Sequence, residues 1–462
     1  MAIIHHPEEI DTTIEKRFAW FYKRFKIGNI LHRINADKEK GVAVGRLLSF
    51  IVGLVFTYKN LYTLFADKST RMSFGNDTVY RFMNRPAVNW EKLAPLLAVE
   101  IIPEIEKLTD DTRRSALIID DTPYYRNRSK KVELLSWCKD HSENRYYKGF
   151  TLLNMGWSDG VTFVPVDFQL VASGNDRNLL EESHIKEDHR TIATRRRKAA
   201  RTEKPELVLQ MLQRVKGTPA QTQHVLFDSW FNSPKAVMGI KHLGYDAVSR
   251  CKNNENYRYL YEGQSRSISQ IHRMSKKRPG SSRYLLSVKV QVQHADFEKK
   301  VDAKIVYVRD RNDRKKWIAL ISTDVSLSEE EVITLYAKRW DIEPFHKFIK
   351  STLRLTKEFQ LRSFDGITAH TAMVFVRYLF LSYESRINAD NRAIGGLFID
   401  ICDELADISF THAFWIMMEL LKSCLADFAG WAAGYIQALI DRFIASLPAF
   451  ISDRLRFSVC ES

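Results

Sequence analysis

Cysteine is scarce in this chain of 462 residues: five are scattered at Cys138, Cys251, Cys402, Cys424 and Cys460. Their odd number and the lack of any C-x-x-C spacing exclude a disulfide framework and a zinc site. Long uncharged runs are missing too. The most apolar stretches, such as Met373 to Leu381, are broken by charges like Arg377 and fall short of the roughly 18 residues a membrane crossing needs. The first residues carry no basic segment followed by an apolar one and a cleavage site, so nothing there marks export and a cytoplasmic protein is expected. No internal repeat or low-complexity tract is present. With 45% hydrophobic and 27% charged residues, the composition is that of a folded protein of about three domains.

What the chain has in excess is positive charge, 70 Lys and Arg against 56 Asp and Glu. Arg250 to Lys316 alone holds 18 basic and 7 acidic residues, most of the net +14. Such a segment suits a polyanionic partner through counterion release.

The first hundred residues read as helical, with a short helix capped by Asn76 or Asp77 and stopped by Pro86. Exposed Arg71, Arg81 and Arg85 suit a helix-turn-helix-like DNA reader, and a plain helical bundle explains them equally well. Ala116 to Ile119 is an apolar run ending in Asp120 and Asp121, the pattern of a buried strand whose end reaches a site. Lys148 to Trp157 and Val161 to Val171 alternate as an antiparallel pair turned at Ser158-Asp159-Gly160. The polar segment Ser173 to Lys204, with Arg195-Arg196-Arg197-Lys198, is expected to be a mobile or DNA-tracking loop. An alternating α/β stretch follows to Arg250, then strands to Thr323, one helix from about Ser328 to Lys350, and helices to the end.

Three groups of acids stand out: Asp120-Asp121 and Asp228 at strand ends, and Glu343 on the long helix. Hard carboxylate oxygens gathered from separate elements are what magnesium requires, leaving positions for water and phosphate. At about 100° per residue, Tyr336, Arg339, Glu343 and Lys350 share one helix face. An aromatic, a guanidinium, a carboxylate and an ammonium in one stripe suit a metal-bound phosphodiester.

This spacing, Y-x2-R-x3-E-x6-K, resembles the Y-R-E-K signature of the cut-and-paste DDE transposases of bacterial insertion sequences. The resemblance extends to Ile118-Ile119-Asp120-Asp121-Thr122, Val225-Leu226-Phe227-Asp228-Ser229 and Lys316-Trp317-Ile318-Ala319-Leu320, over roughly residues 115 to 385. It implies an α/β fold: an RNase H-like mixed-sheet core, residues 101–251 and 324–385, interrupted by a β-rich basic insertion at 252–323. A helical DNA-binding region, 1–100, and a helical C-terminal region, 386–462, would flank it. It implies Asp121, Asp228 and Glu343 as catalytic residues holding two magnesium ions, for which manganese could substitute. Asp121 is selected because it precedes Thr122, and Asp120 remains the alternative, since neighbours on a strand face opposite sides. Tyr336, Arg339 and Lys350 would hold DNA phosphates. Trp317 would stack on a flipped base during hairpin formation, or else is a core tryptophan. The partners implied are transposon ends and target DNA, bound by a homodimer in a synaptic complex. The activity implied is nicking, hairpin formation and strand transfer; a magnesium-dependent nuclease without strand transfer, or an inactive DNA-binding derivative, are the alternatives.

Overall fold

The computed structural model describes residues 13–57, 60–66, 73–109, 113–140, 143–186, 188–278, 282–310, 313, 316–388, 394–427 and 433–448. Six helices come first: α1 (Thr13–Arg24), α2 (Ile27–Arg33), α3 (Val44–Gly53), α4 (Leu61–Ala66), α5 (Asn76–Met83) and α6 (Leu93–Glu106). The chain then forms β1 (Ala116–Tyr125), β2 (Ser136–Asp140), β3 (Arg145–Ser158) and β4 (Phe163–Val171). Next come α7 (Ile192–Ala200), α8 (Lys204–Val215), β5 (His224–Phe227), α9 (Pro234–His242) and β6 (Asp246–Arg250). The basic block contains β7 (Arg258–Tyr261), β8 (Gln264–Ser267), α10 (Ile268–Met274), β9 (Leu286–Val292), β10 (Val301–Arg309) and β11 (Trp317–Ser322). Helices α11 (Glu329–Ala337), α12 (Ile342–Ser351), α13 (Phe364–Ile387), α14 (Ile394–Asp427) and α15 (Ala433–Ala445) complete it. No helix among the described residues is long and apolar enough to cross a membrane.

All the strands belong to one mixed sheet, in the order β2-β3-β1-β5-β6-β11-β10-β9-β7-β8, with β4 also on β3. The three central strands are parallel, β1 with β5 and β5 with β6. The apolar run that opens β1 is wholly buried, as strands covered on both faces require. The basic strands add to the same sheet, because β11 pairs antiparallel with β6. Their block begins and ends between elements, whereas the expected boundaries at 100 and 385 fall inside α6 and α13. Helix α13 is buried on all sides from Phe364 to Glu384, and one continuous apolar core joins the N-terminal helices, the sheet and α13.

Of the three N-terminal arginines, Arg81 is exposed and Arg85 donates to the Ala36 carbonyl at 2.7 Å. Arg71 lies outside the described residues.

Two expectations fail here. The segment Ser173 to Lys204 is not a loop throughout, since Thr191 caps α7 within it, and two of its four consecutive cations face inward. Arg197 bonds Glu133 through Nε at 2.6 Å and Asp365 through Nη2 at 2.8 Å. Arg196 pairs with Asp365 and donates to the Val88 carbonyl at 2.6 Å. These two arginines tie the start of α13 to the sheet side and to the N-terminal helices. The helix expected from Ser328 to Lys350 is also two helices, joined by a tighter 3-10 turn at Lys338–Asp341. Pro344 has no N–H to give the Trp340 carbonyl, so an unbroken ladder cannot pass this point.

Removing one partner of a buried pair strands the other charge. Arg197→Ala should therefore cost about 3–5 kcal/mol in urea denaturation, while exposed Arg195→Ala should stay within about 0.5 kcal/mol. Equal effects would mean that the buried network is not what holds these elements together.

Candidate active site

The site lies at the carboxyl ends of the central strands. Ile119 is level with Phe227 in the parallel β1–β5 ladder, so Asp120 and Asp228 follow side by side and share a sheet face. Asp121 belongs to the opposite face, where its carboxylate pairs with Lys204 Nζ at 2.5 Å. Asp228 Oδ1 accepts the backbone N–H groups of Trp230 and Phe231, at 2.8 and 3.3 Å, in the turn that ends β5.

The signature segment crosses the face that carries Asp120. Its start is set by a capping box: Ser328 Oγ accepts from the Glu331 N–H, and Glu331 reaches back to the Ser328 N–H at 2.8 Å. The 3-10 turn is pinned at both ends. Lys338 Nζ donates to the Arg114 carbonyl and to the Asp159 carbonyl, the latter at 3.1 Å, and Asp341 accepts from Ser158 Oγ at 2.6 Å. Gly160 permits the approach, with φ at +92° and a Cβ that would stand 3.2 Å from the Lys338 chain. Thus held, the buried Arg339 donates to Asp120 Oδ2 at 3.4 Å and to Glu343 Oε1 at 3.0 Å. Its guanidinium also lies 4.3 Å from the centre of the Trp340 ring.

About two helical turns past Glu343, Lys350 Nζ donates to Thr122 Oγ1 at 2.5 Å. Asp120 and Thr122 are two apart on β1, so Arg339 and Lys350 meet one face of one strand despite the helix break. His346, between them, bonds Asn154 of β3 at 2.7 Å. Burial, with Lys350 and Arg339 nearby, pushes its pKa down to about 3 and keeps it neutral. Tyr336 is half-buried at the end of α11, its hydroxyl pushed up to about 12 mainly by burial.

Trp317 opens β11 and is half-buried. Its ring stacks on His272 at 4.5 Å and meets Tyr307 edge-on at 5.2 Å. It also lines a cavity of about 300 Å³ with Ser229, Arg250, Lys252, Asn253 and Asn254. Ser229 directly follows Asp228, so this basic, amide-rich cavity opens beside the acids.

The electrostatics are those of an anionic hole. Burial first, then the Asp121 and Asp228 carboxylates, push the Asp120 carboxyl up to about 7, against the pull of Arg339. Asp228 is also raised, by burial above all. Such a donor set, all carboxylate oxygen and short of compensating charge, fits a magnesium-class ion in kind. Among the described residues no three acids, histidines or cysteines are grouped closely enough to hold an ion, and the Arg339 guanidinium bonds both Asp120 and Glu343.

Two of the contacts were not foreseen. Lys204 also lies 3.9 Å from the centre of the Trp230 ring. Its signal was a cation in the first turn of a helix, where the macrodipole disfavours it. Asn154 and His346 left no signal of this kind, since each is ordinary in its own segment.

A mixed sheet with paired acids at adjacent parallel strand ends, crossed by a helix that brings a third, defines an RNase H-like phosphoryl-transfer fold. The chain belongs to the DDE superfamily endonuclease family, whose family model matches residues 54–315. That span contains both aspartate motifs and ends before the signature helix. A search of curated proteins finds no match. Membership makes this an endonuclease family protein with DNA as its substrate and divalent-metal-dependent cleavage as its chemistry.

The raised Asp120 carboxyl has a measurable consequence. Its folded pKa of about 7 exceeds the roughly 4 of an unfolded aspartate, so the folded state binds the proton more tightly. The associated stability is full below about pH 4 and is lost as the pH rises through about 7. In metal-free urea denaturation at pH 5 and 8, Asp120→Asn should reduce this loss; an unchanged pH dependence would show that the carboxyl is not strained.

Proposed function

We propose that the protein is a DDE transposase that cuts and joins DNA ends, with Asp120, Asp228 and Glu343 as its catalytic carboxylates. The observation that carries the assignment is the common guanidinium: Arg339 touches Asp120 and Glu343 together, while Asp228 lies beside Asp120 on the neighbouring strand. Asp120 takes the first place in preference to Asp121, whose carboxylate turns to Lys204. Two magnesium ions, with manganese as a substitute, would bind these three carboxylates and supply charge neutralisation and activation of a water or 3′-hydroxyl.

The remaining work falls to the chain. Arg339, which bonds Asp120 and Glu343, would turn its planar fork to a phosphate, and Lys350 would add a point charge about three helical turns along the chain. Tyr336 completes the phosphate grip. Buried, neutral His346 holds α12 to β3 without adding charge behind the acids. Trp317, with one face already covered by His272, offers its cavity side to an unpaired base. The same carboxylates then serve nicking, attack of the freed 3′-hydroxyl to form a hairpin, hairpin opening and strand transfer. A homodimer in a synaptic complex is supported by the apolar surface of the C-terminal helices, where Ile399, Met417, Leu421, Leu439 and Phe443 are exposed.

Labelled element ends and a target plasmid incubated with magnesium distinguish the readings. Joined product supports a transposase, cut product alone a nuclease, and binding alone an inactive derivative. Asp120→Asn and Asp228→Asn should bind DNA and fail to cut, whereas Asp121→Asn should retain cleavage; the reverse order of the two neighbouring aspartates would return Asp121 to the site. Lys350→Ala should lower the slope of log affinity against log salt by about 1.

A further inference from the structure

The edge of the sheet nearest the site carries a pattern that the cutting reaction does not use. In the β2–β3 ladder Trp137 is level with Lys148, and Lys139 with Tyr146. The four side chains form a checkerboard of two aromatics and two cations on one face, since paired positions across antiparallel strands project together. Trp137 is 41% and Tyr146 66% exposed. They are diagonal neighbours, about 7–8 Å apart. None of the four side chains has a hydrogen bond or ion pair among the described residues.

The surroundings are basic. From Arg126 to Lys148 there are 7 basic and 3 acidic residues, and the acids are committed elsewhere. Glu133 is buried against Arg197, Asp140 accepts from the Tyr125 hydroxyl at 2.8 Å, and Glu143 pairs with Arg145. The patch is also joined to the site. Its four side chains lie on the sheet face of Asp120, since Asp120 is level with Asn154, and Lys148 and Tyr146 stand an even number of positions from Asn154 along β3.

Exposed aromatics set among cations are of little use to intact duplex, whose base faces are hidden in the stack. They suit a strand whose bases are free to stack while its phosphates lie near ammonium groups. We propose that the Trp137–Lys148 and Lys139–Tyr146 face is a binding site for unpaired DNA, and that it receives a single strand leaving the duplex next to the cut. The inference rests on the DNA-cutting reading above and adds to it a second substrate form.

Fluorescence anisotropy of the full-length protein without divalent ions provides the test. The probes are a duplex end, the same end with an unpaired flank of about eight nucleotides, and the flank sequence alone. Trp137→Ala combined with Tyr146→Ala should weaken binding of the flanked end and the single strand by roughly tenfold or more, and of the blunt duplex by less than about twofold. Trp137→Phe combined with Tyr146→Phe should restore binding, because phenylalanine keeps the stacking face. Equal binding by the alanine and native proteins, or an equal loss on all three probes, would overturn the proposal. Failure of the native protein to bind any of the probes would instead overturn the DNA-cutting reading, and the inference with it.

Discussion

Everything about this site follows from placing two carboxylates at neighbouring parallel strand ends. Parallel pairing of β1 with β5 fixes Asp120 beside Asp228 as firmly as the apolar runs behind them are buried. Burial first, then repulsion from the Asp121 and Asp228 carboxylates, raises the Asp120 carboxyl to about 7. The chain offsets it with Arg339, delivered by a turn that Lys338 and Asp341 anchor from both sides. One guanidinium is incomplete compensation for three acids. The carboxylates are thus held close to one another with a single guanidinium bonded to two of them.

The scaffold answers a similar difficulty with complete compensation. Arg196 and Arg197 are buried with Glu133 and Asp365, and Arg377 is buried with Glu358 at 2.6 Å while donating to the Val52 carbonyl. Both clusters fasten α13 to the N-terminal helices, the first through the Val88 carbonyl and the second through the Ile51 and Val52 carbonyls of α3. Buried pairs contribute little net stability, yet breaking one is costly. They therefore resist any rearrangement of the helices around α13, and they spend arginines that a charge count assigns to DNA.

Much of this was legible in the sequence. The apolar run before Asp120 and Asp121, the alternation around Ser158-Asp159-Gly160, and the helix start at Ser328 all announced their elements, because period, turn residues and caps are local signals. Which of Asp120 and Asp121 shares a sheet face with Asp228 was not local. It depends on which strand neighbours β1 and in what register, and residues a hundred positions away decide that. The arginine run misled because a buried cation and a solvated one look alike until Glu133 and Asp365 are seen to converge on it. The helix break, by contrast, was written plainly at Pro344, yet a stripe computed over one uninterrupted helix ignored it. Arg339 and Lys350 still reach the same face of β1 across the 3-10 turn, at Asp120 and Thr122.

The route of the basic strands determines how Trp317 can act. Had they formed a separate lobe on a linker, the tryptophan would reach the acids only through a hinge. Instead β11 is hydrogen-bonded to β6, and β6 to β5, with Leu320 level with Arg250 and Ser249 level with Phe227. Trp317 and Asp228 therefore ride on the same sheet, two ladders apart, and the cavity between them has walls from both strands. The stack of His272 on one face of the indole closes that side to ligands and fixes the plane of the ring. A base drawn from the helix would meet a surface already oriented, so less ordering is left to the moment of binding. Sheet continuity thus fixes the indole of Trp317 as the pinned 3-10 turn fixes the guanidinium of Arg339.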